Sequence, residues 1–166
     1  ILVQLGNGEN FVFDLGIGPL RNYNTMRIPF NTINHVFFTH LHMDHMSDLP
    51  YFMMFRPIQS GWTPLTIYGR SGSEPQYGIA HFVKHMLEMT AWHRDSFNAW
   101  PIGEGYNPNV REFDFMDEGG VAYEENGVKI THWPTSHTKD GATSYRLDWN
   151  GRSICYTGDN RPNSLT

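Results

Sequence analysis

In the run FFTHLHMDHMSDLP (residues 37–50), four side chains with metal-binding donors, His40, His42, Asp44 and His45, fall within six consecutive positions. Imidazole and carboxylate are the usual ligands of Zn²⁺ and other first-row divalent cations. His40 and His42 are two apart, so in extended backbone both project to one side and can share one cation. Asp44 and His45 follow on a tightening turn, where they can face a second ion. Paired cations of this kind make a shared water acidic and stabilise the charge that develops in hydrolysis, without a serine, cysteine or lysine nucleophile. The alternative is an exposed histidine cluster with no chemistry. Its placement directly after an apolar run counts against that reading.

That apolar run, INHVFFT (33–39), predicts a strand buried on both faces of a sheet. Groups that do chemistry collect just beyond such strand ends, where a rigid sheet holds them. Before it, LVQLGNGENFVFDLG predicts a hairpin turning at Gly6-Asn7-Gly8, and residues 16–32 read as polar and irregular. After it, Ser47 is the expected cap of a helix reaching Phe55, and PLTIYG (64–69) is a further strand. Residues 75–97 carry apolar side chains at helical spacing, and residues 98–120 are rich in Gly, Pro and Asn, as in a long loop. Two hairpins close the chain, with turns at Asn126-Gly127 and Asn150-Gly151. Strands early and late with helices between them predict an α/β (α+β) fold of sheets covered by helices.

THLHMDH resembles the HxHxDH motif of the metallo-β-lactamase-fold hydrolases, and further features follow in that superfamily's order. FVFDLG resembles its early Asp-Leu-Gly turn, TSHT supplies a later histidine, and CYTGD resembles its strand-end Thr-Gly-Asp. The continuation TGDNRP is most similar to the branch of tRNase Z and its arylsulfatase-like relatives. The resemblance implies an αββα sandwich formed by one metallo-hydrolase domain over residues 1–166. It implies that His40, His42 and His137 hold a first cation, that Asp44 and His45 hold a second, and that Asp159 bridges the two. Asp44 and Asp159 would then orient the attacking water and accept its proton. Asp14 would lie beneath the metal loop and fix a ligand histidine's tautomer. A related diiron branch carries Glu where this chain has His42, which favours two zinc ions, with Mn or Fe as substitutes. His132 competes with His137 for the first site, but it lies within the strand KITHW, whereas His137 follows Pro134 in a loop.

The superfamily completes its second site with a histidine well downstream of the bridging Asp, and none follows Asp159 here. The sequence, beginning at Ile1 and ending at Thr166, therefore reads as a fragment, incomplete at both ends, and its compartment is not legible. The remaining ligand would come from a part outside this sequence or from another chain, a homo-oligomer being left open, or the second site would be weak.

The 166 residues suffice for one core, with 39% hydrophobic and 17% charged side chains. A net charge of −5 without a basic block argues against gripping a long nucleic acid by its phosphates. No apolar run reaches the ~18 residues of a membrane span. The expected partner is accordingly a small-molecule ester: a phosphodiester, sulfate ester, lactone or β-lactam. A tRNA 3′-processing endoribonuclease is the alternative by resemblance, and a non-catalytic metal-binding interaction domain is the alternative from another class. Cys155, between Ile154 and Tyr156, reads as a small core residue. His81 and His85, four apart on the expected helix, have a zinc-binding spacing but no third partner, and read as a half-solvated face.

Overall fold

A computed structural model describes residues 1–161. The elements in chain order are strands β1 (Leu2–Gln4) and β2 (Asn10–Phe13), helix α1 (Pro19–Thr25), strand β3 (His35–Phe37), and helices α2 (Met43–Met46) and α3 (Leu49–Phe55). Strand β4 (Thr66–Arg70), helices α4 (Ile79–Met89) and α5 (Ala91–Ser96), and strands β5 (Asn109–Phe113), β6 (Gly120–Glu125), β7 (Val128–Pro134), β8 (Thr143–Trp149) and β9 (Arg152–Tyr156) follow. One sheet has the order β1-β2-β3-β4-β5, with only the β1–β2 pair antiparallel. The other is an antiparallel meander, β6-β7-β8-β9.

Period-two alternation along β2, β3 and β4 produces two cores from one sheet. Val12, Val36 and Ile67 face the helices, where they join Leu20, Leu49, Phe52, Met53, Val83 and Met86. Phe11, Phe13, Phe37 and Tyr68 face the second sheet and pack on Tyr123, Ile130, Tyr145 and Leu147. The rings of Phe37 and Tyr68 stack at 4.1 Å and 5°. Three layers, helices on sheet on sheet, are therefore present among the described residues. Strands β2 and β3, which lead to Asp14 and to residues 40–45, are rigid because both of their faces are filled. No described helix is long and apolar enough to cross a membrane.

Several local expectations are corrected. Residues 16–32 contain helix α1, whose first amides are held by a distant side chain: Asp48 Oδ2 accepts from Gly18 N and Leu20 N at 3.1 and 3.4 Å. Ser47 ends α2, and Asp48 occupies the cap position of α3 with its side chain committed to α1. The 75–97 region breaks at Thr90 into α4 and α5. The expected loop 98–120 contains β5, a polar outer strand paired in parallel with β4. Cys155 is exposed, because β9 is the last strand of its sheet. Both hairpin turns form as expected, with positive φ at Asn126 and Gly127 (51° and 77°) and at Asn150 and Gly151 (48° and 71°).

Gly16 locks the loop after β2 to the helix that carries the candidate ligands. A Cβ built there would overlap the carbonyl oxygen of Asp44, and the preceding Leu15 is bonded to the same segment, its N donating to His45 O and its O accepting from Asp48 N at 2.8 and 2.9 Å. The obstacle is backbone, so it cannot rotate away. Gly16→Ala is expected to cost about 3 kcal/mol, the upper range of overpacking, read as a lowered urea midpoint. An unchanged midpoint would contradict this packing.

Candidate metal centre

The site is built where strands end. His40 follows β3, His42 occupies the cap position of α2, and Asp44 and His45 lie on that single helical turn. His137 follows β7 and Asp159 follows β9, on loops joined by Arg161 N donating to Ser136 O at 2.9 Å. The second sheet is tied to the first at the same end, with Thr143 N donating to Thr39 O (2.8 Å) and the Tyr145 hydroxyl to Phe38 O (2.9 Å).

All six expected ligand residues lie together. His42 Nδ1 is 3.0 Å from His40 Nε2 and 3.2 Å from His137 Nε2. His45 Nε2 is 3.3 Å from Asp159 Oδ1 and 3.6 Å from Asp44 Oδ2. Within each of two sets, His40/His42/His137 and His40/His45/Asp159, the donor atoms lie within 4.8 Å of one another. The side chains of Asp44 and Asp159 are 67% and 52% exposed, so this face is open to solvent. His132 is elsewhere, buried between the sheets and stacked on Phe113 at 4.0 Å.

Asp14 lies beneath both sets. It is 5% exposed, in a left-handed conformation (φ 58°), and receives four donors. Thr39 N donates to Oδ1 at 2.8 Å; the Thr39 hydroxyl, His45 Nδ1 and the Tyr156 hydroxyl donate to Oδ2 at 2.8, 2.8 and 3.0 Å. With its proton committed to Asp14, Thr39 Oγ1 accepts from His40 Nδ1 at 3.1 Å. One carboxylate thus fixes two imidazoles, His45 directly and His40 through a hydroxyl, and both present an unprotonated Nε2. Gly158 (φ 58°) makes room for this relay, since a Cβ there would lie 2.6 Å from Thr39 Oγ1. Thr39 and Tyr156 were not among the residues singled out by sequence. Their signal is adjacency: Thr39 immediately precedes the HxHxDH run, and Tyr156 precedes Thr-Gly-Asp.

The electrostatics fit a cation. Burial, then the charges of His45 and His137, lower the His40 pKa to about 4, so its ring is neutral and its lone pair free. The Asp14 hydrogen bond raises that of His45 against the effect of burial. Three ring nitrogens converge on one point, and a fourth faces two carboxylates, with no positive side chain among them. Electron-rich atoms so arranged need a proton or a cation between them, and imidazole with carboxylate is a donor set for divalent transition metals.

His132 behaves differently, and its role is in stability. Burial, then the charge of Arg70, lowers its pKa to about 4, and its Nδ1 has no hydrogen-bond partner among the described residues. Because the folded value lies below the unfolded ~6.5, the neutral ring's contribution is complete above pH ~6.5 and is lost as pH falls through about 4. His132→Phe is expected to remove an acid destabilisation on the order of 3 kcal/mol between those limits. Urea unfolding at pH 7 and pH 4 tests this, and an equal acid loss in both proteins would refute it.

With this geometry in view, the comparisons with known proteins are specific. The profile described as the metallo-beta-lactamase superfamily matches residues 1–165. A ribonuclease Z of Lacticaseibacillus casei is 35% identical over 123 residues, which cover 74% of this chain and 32% of that protein. A ribonuclease Z of Mycobacterium avium is 28% identical over 166 residues, covering 97% of this chain and 56% of that protein. The chain thus spans between about a third and just over half of the length of these relatives. The crystal structure of human tRNase Z, short form, has the same fold: its TM-score is 0.70 at 18% identity, covering 95% of this chain and 61% of that one. The expected resemblance to the tRNase Z branch is borne out by these relatives. The expected partner is not. Relatives named as ribonucleases overturn the small-molecule ester, and with it the argument against a nucleic acid. A net charge summed over 166 residues is no measure of the field at one site, and this sum covers only part of the relatives' length.

Proposed function

Since the chain belongs to the metallo-β-lactamase superfamily, we propose that it is a metal-dependent hydrolase cleaving a phosphodiester bond of an RNA, as a tRNA 3′-processing endoribonuclease does. The observation that carries this reading is the meeting of two donor sets at His40, in a chain whose relatives are ribonucleases Z. His40, His42 and His137 would hold one divalent cation, and His45, Asp44 and Asp159 a second, with Asp159 shared. Zinc is the metal this donor set suits, with manganese or iron as substitutes. When bound, such ions supply a water acidic enough to lose its proton near neutral pH and positive charge facing the phosphate.

The chain's own groups do the rest. Asp44 and Asp159, both solvent-facing, orient the attacking water and take its proton on a carboxylate oxygen. Asp14 keeps His45, and through Thr39 also His40, in the tautomer whose Nε2 is free. Because the frame beneath them is buried and fully hydrogen-bonded, the donors are already in position before substrate arrives.

The test is cleavage of a precursor tRNA with a 3′ extension by chelator-stripped protein, before and after a divalent cation is restored. Cleavage only after restoration is the expected result. Metal-loaded protein that leaves the RNA intact would overturn the reading.

A further inference from the structure

Beside the donor cluster lies a cavity of about 450 Å³, within the range of small-ligand sites. His40, His42 and His137 form one end of it. The rest is mainly apolar and flat-faced: Leu41 and Met46 from the metal loop and α2, Tyr77, and His81, Phe82 and His85 from α4. The rings of His81 and His85 are 4.2 Å apart. The turn carrying His137 is pinned to the segment before α4: Ser73 N donates to Asp140 Oδ2 at 2.5 Å, and Lys139 Nζ, paired with Asp140, stands 4.4 Å over the Tyr77 ring. The hydrolytic role uses neither the α4 histidines nor Tyr77.

We propose that this cavity takes one unstacked nucleobase, that of a nucleoside joined to the cleaved phosphate, with Tyr77 and His81 as its flat contacts. The inference rests on the RNA reading above. A cavity continuous with the donor cluster must receive whatever is attached to the phosphate held there. Ribose and phosphate are polar or charged and lose hydration in an apolar cavity, whereas a base presents a face that gains by burial. RNA is commonly bound through splayed-out single-stranded bases stacked on Tyr, Phe or His rings. Such stacking accepts every base, because each has a π face. The volume suits one nucleoside, so the base next to the cleaved bond enters without its stacking neighbours. Lys139 adds a positive charge at the rim, partly offset by Asp140.

Two measurements test this. In the first, metal-loaded protein is given an RNA that carries an abasic ribose on one side or the other of the cleaved bond. One of the two abasic RNAs should be cleaved with kcat/KM lowered about tenfold or more. His81→Ala and Tyr77→Ala should slow the intact RNA similarly but leave that abasic RNA unaffected, and His81→Phe should restore the intact RNA. Equal cleavage of all three RNAs, or equal slowing of intact and abasic RNA by His81→Ala, would overturn the proposal. In the second, histidine-ring ¹H–¹³C spectra of metal-free protein are recorded with a nucleoside 5′-monophosphate or with ribose 5-phosphate. The His81 and His85 signals should move with the first alone; movement with both or with neither overturns the proposal. If no RNA is cleaved, the RNA reading fails by itself, and the spectra still decide the cavity.

Discussion

His42→Ala is expected to lower RNA hydrolysis by about 10²–10³-fold, the order that losing one preorganised electrostatic group costs, while leaving the fold intact. His42 Nδ1 is the middle member of its set, 3.0 Å from His40 Nε2 and 3.2 Å from His137 Nε2. Without it the other two nitrogens keep their places, since His40 is held by Thr39 and the His137 loop by Arg161 N on Ser136 O, but the set has lost a ligand. His42 itself is exposed at the start of α2, and its side chain makes no cap bond there. Stability should therefore change by less than ~0.5 kcal/mol. Kinetics with metal analysis and urea unfolding on one preparation check both halves. Full activity in His42→Ala would show that this histidine holds no cation the reaction needs, and gross unfolding would mean that the site and the fold are not separable as described.

The second large effect is expected at Asp14, whose loss acts on both metal affinity and folding. Its carboxylate accepts from Thr39 N, the Thr39 hydroxyl, His45 Nδ1 and the Tyr156 hydroxyl. Asn in its place keeps the shape and tolerates φ 58°, but its amide nitrogen cannot accept. Donors on one side are left facing another donor. Each buried donor so orphaned costs about 1–3 kcal/mol. Asp14→Asn should therefore lower stability by about 2–3 kcal/mol and weaken cation binding at His45 by about 10–100-fold, as loss of a ligand's orienting partner does. Asp14→Ala, which orphans all four donors, should be the less stable of the two. Urea unfolding and a metal titration read the two effects. Unchanged affinity in Asp14→Asn would show that the carboxylate does not orient the ligands.

These residues also show what the sequence made legible. His40, His42, Asp44 and His45 could be read directly because their chemistry is compressed into one run after an apolar strand. Asp14, His137 and Asp159 were identifiable only by resemblance, since each joins the site through tertiary packing. His137 meets His42 across 95 positions and Tyr156 meets Asp14 across 142. The two Asn-Gly hairpins were local and formed as expected. Helix α1 was not local: its polar sequence is held by Asp48, about thirty positions away. Strand β5 escaped because an outer strand with exposed residues has no apolar pattern to show. Arg56 escaped as well. It is 1% exposed and donates to the carbonyls of Ile33, Gly61 and Thr63, a tertiary arrangement that no periodicity announces. Substrate class was the largest misreading, because net charge averages over the surface on which a site occupies one patch.

Whether His40, His42, His137, His45, Asp44 and Asp159 together hold paired cations is read from anomalous diffraction at the zinc edge of zinc-loaded crystals. Two peaks are expected, one bonded by His40 Nε2, His42 Nδ1 and His137 Nε2, the other by His45 Nε2 with the Asp44 and Asp159 carboxylates. No peak among these six residues, or zinc bound instead at His81 and His85, would overturn that pairing.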